Sequence, residues 1–239
     1  MKAIDDNFIL LRNHRLFQKL TARECKELSI QEGFILAKKN EFIYLNELQS
    51  SRLYFLKKGF VKIGHYDQEG KEVITEILQE GDIFGQLNLE SEYEEEEFAQ
   101  AIKKDASICS FQVQDFEKIL EKRPDLAISY TKLVGFKFKS LRNRVWNIMY
   151  KDVRERLTDL FIYIATKNNP ENLDKIRMDN FLTHADVASL IGSTRQTVTT
   201  LINELSDKGL LYFDRQYIEI PSLVLLKKSS ENIQRMSGR

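Results

Sequence analysis

Residues 182–211 read LTHADVASLIGSTRQTVTTLINELSDKGLL, a stretch that spells two short helices and the turn between them. Thr183 can cap a first helix whose apolar face is Val187, Leu190 and Ile191, with Ala188 small enough for close packing. Gly192 stands where a tight turn between helices needs a flexible backbone. Ser193 or Thr194 can cap the second helix, in which Val198, Leu201, Ile202 and Leu205 repeat at helical spacing before Gly209 ends it. Arg195, Gln196, Thr199 and Thr200 remain as a polar front near the N-terminal end of that helix, the end that helix-turn-helix proteins place in a major groove. An Arg there reaches phosphate or guanine O6/N7, and a Gln pairs bidentately with adenine. Thr183, His184 and Thr197 are candidates for backbone phosphates, and Ser193 and Thr194 complete the candidate surface. Residues 210–213, 214–216 and 217–220 then read as strand, turn and strand, a wing. A generic helix pair explains the caps and the apolar spacing equally well. The short helix, glycine turn, polar-fronted helix and hairpin taken together point to duplex DNA.

Upstream, residues 125–166 hold one glycine and no proline, enough for two helices or one long helix with a break. Val134, Phe138, Leu141, Val145 and Ile148 follow one another at intervals of 4, 3, 4 and 3, a heptad-like seam. Two such helices side by side make a two-fold dimer core; a helix packed on its own N-terminal domain is the alternative. Residues 168–170, Asn-Asn-Pro, end this region by a turn, and KIRMDN after it reads as a short strand or loop.

From about Phe34 to Phe116 the apolar residues instead recur at strand-like intervals, as in SRLYFLKKGFVKIGHYDQEGKEVITEILQEGDIFG, residues 51–85. Tyr54 and Leu56, then Val61 and Ile63, alternate, and Asp67 to Gly70 separate two strands as in a hairpin. Short strands with frequent glycine turns describe a β-roll or barrel. The chain therefore reads as α+β: a β-roll domain with flanking helices over residues 1–123, a central dimerisation helix region over 124–166, and a winged helix-turn-helix over 167–239.

Bulk properties narrow the classes. With 239 residues, 42% hydrophobic and 30% charged, the chain is an ordinary globular protein long enough for more than one core. The longest apolar runs are four or five residues, and MKAIDDNFILL has no cleavage site, so no membrane and a cytoplasmic location are expected. Net charge is zero, yet from Lys137 onward 17 Lys and Arg face 12 Asp and Glu, leaving 19 against 24 before it. A basic C-terminal part suits a docking face that neutralises phosphates. Cys25 and Cys109 read as small buried hydrophobes, and two thiolates cannot hold an ordinary iron–sulfur cluster. No P-loop, HExxH or nucleophile–His pair is present, so the sequence reads as no enzyme.

Together these stretches resemble the cyclic-AMP receptor / fumarate-nitrate regulator (Crp/Fnr) family of bacterial transcription factors, from about Leu16 to Leu223. LTHADVASLIGSTRQTVTTLINELSDKGLL is similar to the family's helix-turn-helix, and LKKGFVKIGHYDQEGKEVITEILQEGDIFG to its roll strands. The resemblance implies a homodimer joined by a long central helix, bound to two-fold symmetric duplex DNA, with RNA polymerase as a further partner of activators. It places Arg195, Gln196 and Thr200 where family members carry a base-reading Arg, Glu and Arg, so a half-site unlike the family's usual one is expected.

The resemblance also locates a ligand pocket, at GDIFGQLNLESEYEEEEFAQA, residues 81–101. Gly85 fits the family's turn, but Gln86, followed by Leu87, replaces the Glu that accepts the ribose hydroxyl. No Arg occurs from Gly85 to Ala101; Glu97 takes the phosphate-binding position and Phe98 that of the hydroxyl residue. A carboxylate beside a phosphodiester repels it and supplies no donor, so no cyclic nucleotide response and no cofactor are expected. Leu141 and Arg142 stand where a family ligand meets the dimer helix, which keeps a different anion open. His14, His65 and His184 are scattered, with His65 the sole candidate haem ligand and more naturally a solvent-facing strand residue. Six of the eight residues 90–97 are Glu, read as a solvated rim, as a contact to basic residues such as Lys103 and Lys104, or as a divalent cation site. A constitutive regulator with a structural roll and a sensor of an unidentified small effector both stand. A regulatory protein that does not bind DNA is the rival outside this class, and apolar residues at 195–200 would have marked it.

Overall fold

The computed structural model describes residues 20, 21, 23, 24, 34–45, 52–85, 97–168 and 175–236, with the backbone alone at 168 and 230–236. His14, Cys25, Gln86, Leu87, the acidic residues 90–96 and the Asn-Pro turn at 169–170 lie outside them. The chain forms two compact units, Met1–Lys139 and Ser140–Arg239.

In the first unit six strands make one antiparallel sheet: β1 (Phe34–Ala37), β2 (Phe42–Leu45), β3 (Arg52–Tyr66), β4 (Glu72–Leu78), β5 (Ile83–Gly85) and β6 (Glu97–Gln112). β3 and β6 pair along their whole length, from Arg52 opposite Gln112 to His65 opposite Glu97, and β1, β2, β4 and β5 add to this ribbon. Its register slips around Lys58, where Gly59 has φ +99° and an added Cβ would stand 2.8 Å from Asp105 O. Only glycine lets the two backbones approach so closely there, and the kink bends the ribbon into a roll. The alternation read in β3 sorts its side chains as expected. Tyr54, Leu56, Val61 and Ile63 enter one core with Tyr44, Phe84, Ala99 and Ile108. Leu53 and Phe55 enter another with Phe111, Phe116, Ile119 and Leu126. Asp67 to Lys71 close the β3–β4 hairpin, with Asp67 N–H and Gly70 N–H both inside the turn.

The strand reading is corrected at its end. Val113–Lys122 is a helix, α1, and Phe116 lies on it with Val113 and Ile119, all three buried. Intervals of three between apolar residues mark a helix; a short apolar run hides them in sequence.

Past Pro124 the expected break falls at Lys151 and Asp152, between α2 (Pro124–Tyr150) and α3 (Val153–Asn168). Asp152 caps α3: its carboxylate accepts from Glu155 N–H at 2.8 Å and Glu155 returns the bond to Asp152 N–H at 3.0 Å. The second unit continues with β7 (Ile176–Asp179), α4 (His184–Ile191), α5 (Arg195–Asp207), β8 (Tyr212–Phe213), β9 (Tyr217–Ile220) and α6 (Leu223–Met236). KIRMDN is thus a strand, and β7, β9 and β8 form a three-stranded sheet in that order. Leu157, Phe161, Val187, Val198, Ile202, Leu205, Leu211, Ile218, Leu223 and Leu226 make its core. Among the described residues no helix is long and apolar enough to cross a membrane.

Candidate nucleic-acid interface

The helix pair is held by the caps its sequence spells. Thr183 Oγ1 accepts from Asp186 N–H at 3.2 Å and donates to the Asp186 carboxylate at 2.7 Å, and Thr183 N–H reaches the same carboxylate. Gly192 closes α4 in the left-handed region, φ +62°. Of the two cap candidates for α5, Thr194 serves: its Oγ1 accepts from Thr197 N–H at 3.1 Å. Lys208 caps the far end and Gly209 follows at φ +65°, with Leu210 N–H returning to Leu205 O at 2.9 Å.

Burial separates the two faces of α5. Val198, Leu201, Ile202 and Leu205 are inside, whereas Arg195, Gln196, Thr197 and Thr200 are exposed and Thr199 half-buried. Thr199 Oγ1 donates to Arg195 O at 2.9 Å and Thr200 Oγ1 to Gln196 O at 3.2 Å, so both hydroxyl protons stay on the helix. What Thr200 offers outward is its lone pairs and methyl group. Thr183 and Thr197 likewise share their hydroxyls with Asp186 and Thr194, and Ser193 is half-buried in the turn.

Side-chain contacts with no signature in the sequence pattern hold this surface in place. Arg156 on α3 donates from Nε to Ile191 O at 2.8 Å, from Nη2 to Gly192 O at 3.2 Å and from Nη1 to Lys151 O at 2.8 Å. One guanidinium thereby ties the helix-turn-helix corner to the end of α2, and its charge suits the C-terminal end of α4. Arg154 pairs with Glu204 on α5, and that hydrogen bond holds the Glu204 carboxyl below its ordinary range. Buried Asn180 accepts from Leu182 N–H at 2.8 Å and donates to Asp214 O at 2.6 Å, fixing the wing turn against the start of α4. Periodicity cannot show such bonds, because most of them join residues far apart in sequence. His184 belongs with them: its Nδ1 lies 2.8 Å from Thr199 Oγ1 and its ring 5.1 Å from that of Phe213 on the wing.

On α2 the five seam residues are open in the single chain: Val134 47%, Phe138 66%, Leu141 59%, Val145 50% and Ile148 49% exposed. The exposed apolar set is wider than the seam, for Phe136, Trp146, Met149 and Tyr150 are also exposed. Trp146 and Tyr150 stack on each other with ring centroids 4.1 Å apart, four residues apart on one side of the helix.

In the roll, Glu97 accepts from Tyr44 OH at 2.6 Å. Tyr44 also packs on Tyr54 and Phe84, which stack at 5.1 Å, so the residue next to Gly85 and Glu97 meet at one ring. Gly85 has φ +99°, and an added Cβ would lie 2.4 Å from Arg52 O. Phe98 is fully buried between Phe42 and Tyr66. His65 stands half-buried opposite Glu97 at the end of β3, and Arg142 is exposed on α2.

A polar-fronted second helix, its glycine corner and a wing, carried with a β-roll on one chain, define a DNA-binding regulator. Residues 35–123 match the family model of the cyclic nucleotide-binding domain, and residues 155–229 that of the Crp-like helix-turn-helix domain. The global nitrogen regulator of Synechocystis is 26% identical over 180 residues, 75% of this chain and 80% of that protein. The cAMP-activated global transcriptional regulator of Salmonella typhimurium is 24% identical, over 72% of this chain and 81% of its own. A CooA mutant from Carboxydothermus hydrogenoformans shares the fold at a TM-score of 0.69 and 24% identity, covering 89% of this chain and 91% of its own. The chain belongs to the Crp/Fnr family of transcription factors. It is a sequence-specific DNA-binding transcription regulator.

Proposed function

We propose that the protein acts as a homodimer on a two-fold symmetric operator, without cyclic nucleotide. In this reading residues 1–123 form the roll, 124–166 the dimerisation region and 167–239 the reader. The observation that carries it is the exposed front of α5, Arg195, Gln196 and Thr200, set on a helix whose opposite face is wholly buried. Arg195 reads guanine or holds phosphate, and Gln196 reads adenine. Thr200, its proton kept by Gln196 O, accepts from a base amino group or packs on a thymine methyl. Ser193, Thr194, Thr197 and Thr199, with Thr183 and His184 of the first helix, line the phosphate side. The occupant of the α2 seam is the α2 of a second copy, since Val134, Phe138, Leu141, Val145 and Ile148 repeat at the spacing two such helices need.

Against a cyclic nucleotide stand the Glu97 carboxylate, engaged by Tyr44, and the buried Phe98. One relative is named a global nitrogen regulator and another a cAMP-activated regulator, and a shared fold by itself assigns this chain neither role. An effector of another class, bound near Arg142, and contact with RNA polymerase are extensions of the reading.

In-vitro selection from random duplexes by the full-length protein tests it, repeated with cell extract added. A two-fold symmetric consensus is expected, and Gln196→Ala should relax one base position in each half. An unchanged profile for that variant removes Gln196 from base reading, and the absence of any consensus removes the regulator reading. Tighter binding with extract points to an effector; equal binding points to constitutive action.

A further inference from the structure

We propose that His184 is a positioning residue for sequence reading, one that fixes Thr199 on the recognition helix and contacts duplex phosphate through Nε2 when the ring is protonated. The proposal rests on the DNA interface described above and adds to it a role and a pH dependence.

Proton bookkeeping carries the first part. Thr199 has a single hydroxyl proton, and its Oγ1 lies 2.9 Å from Arg195 O, a carbonyl that can only accept. That proton therefore belongs to the carbonyl. His184 Nδ1, 2.8 Å from the same Oγ1, must then be the donor. The bond ties the first position of α4 to the middle of α5, while the ring leans on Phe213 of the wing. Three parts of the reader thus meet at one imidazole. Thr199, with its hydroxyl between two partners, keeps one rotamer beside Arg195 and Thr200.

The second part follows from the first. With Nδ1–H engaged in both charge states, protonation changes only Nε2: a lone pair on the neutral ring, an N–H on the charged one. Facing a phosphate, the lone pair repels and the N–H makes a charge-assisted bond. The groups around the ring decide where the change falls. On its own helix the Asp186 carboxylate is taken by Thr183, and the wing presents the uncharged Phe213. From α5 comes Arg195; burial first, and the Arg195 charge second, hold the imidazole below its ordinary pKa. The free protein at neutral pH therefore carries a neutral ring, and a phosphate that raises its pKa draws in a proton on binding. Affinity rises as pH falls through the bound-state pKa and levels off below the free-state value.

The test uses the full-length protein, a labelled duplex obtained by selection with the wild type, and a random duplex of equal length. Anisotropy titrations run from pH 8.5 to 6 at fixed salt. Wild type should bind the selected duplex several-fold more tightly at pH 6 than at pH 8. His184→Asn keeps an N–H donor near the Nδ1 position and has nothing at Nε2. It should still select the same sequence while its affinity no longer changes between pH 8 and pH 6. His184→Ala and Thr199→Val should each weaken selected binding, and at pH 8, where the ring is neutral, the double variant should be no weaker than either single one. Thr199→Val keeps the side-chain shape and serves even where His184→Ala fails to fold. A wild-type pH profile in His184→Asn, or effects of His184→Ala and Thr199→Val that multiply at pH 8, overturns the proposal. A wild type that selects no sequence overturns the DNA reading itself, a distinguishable result.

Discussion

Arg156 shows how much of the reader rests on one side chain. Its guanidinium satisfies Ile191 O and Gly192 O, carbonyls at the end of α4 with no further turn of helix to receive them, and Lys151 O at the end of α2. Hydrogen bonds to a charged donor contribute about 1.5–3 kcal/mol each at most, and these three share one group, so Arg156→Met should destabilise the second unit by about 2–3 kcal/mol. Arg156→Lys should recover less than half, because one ammonium cannot span all three carbonyls. Urea unfolding of both variants followed by far-ultraviolet circular dichroism measures this; equal stability of Arg156→Lys and wild type would count against a shared clamp. Cys109 sets a second expectation at this scale. Burial pushes its thiol up to about 11, the nearby Lys57 charge only partly opposing it. In a Cys25→Ser background, a thiol reagent at pH 8 should label Cys109 only as fast as the roll opens, and quickly in urea. Fast labelling of the native protein would show a thiolate that the structure does not.

At the scale of the element, α2 sets solvent against a partner. A helix with Val134, Phe138, Leu141, Val145 and Ile148 all about half exposed or more gains nothing from that face alone. Phe138→Glu with Leu141→Lys places two charges in the seam, where burial without a matching partner is costly. Sedimentation equilibrium should show the wild type as a dimer and the double variant as a monomer that keeps its helix content. A variant that remains dimeric would move the interface elsewhere. The same elements show what could be read from sequence. Strand alternation at Tyr54, Leu56, Val61 and Ile63 and the Gly192 corner were legible because each is a local pattern of three to ten residues, whereas the break in the helical region was expected without a position and the structure puts it after Tyr150. Phe116 was misplaced because α1 is short and follows β6 with no breaker residue between them. The Arg156, Asn180 and His184 contacts were not legible at all. Their long-range bonds join residues 15 to 36 apart, and polar residues at those spacings look like any solvated surface. At the candidate site the sequence showed which side chains face outward on α5, and the structure shows how they are held.

Taken whole, the molecule carries a domain that matches the cyclic nucleotide-binding family model, and the proposal of no nucleotide response puts Glu97 and Phe98 where the family resemblance calls for a cation and a hydroxyl. Glu97 shares a hydrogen bond with Tyr44, and Tyr44 leans on the Tyr54–Phe84 stack in the roll's core. A cyclic phosphodiester would have to break that bond or sit beside the carboxylate, and neither returns a donor to its phosphate. A ligand at 100 times its dissociation constant stabilises the folded state by about 2.7 kcal/mol. In a chain of this size 1 kcal/mol raises the melting temperature by about 2–4 °C. Millimolar cAMP bound with micromolar affinity would therefore raise it by at least about 5 °C. The expected result is no rise with cAMP or cGMP at about 1 mM, and no change in affinity for the selected duplex. The control is the cAMP-activated relative, melted alongside with the same nucleotide. A rise of several degrees in this protein, lost in Glu97→Ala, would show that the carboxylate has been recruited to a ligand and that the roll still senses one.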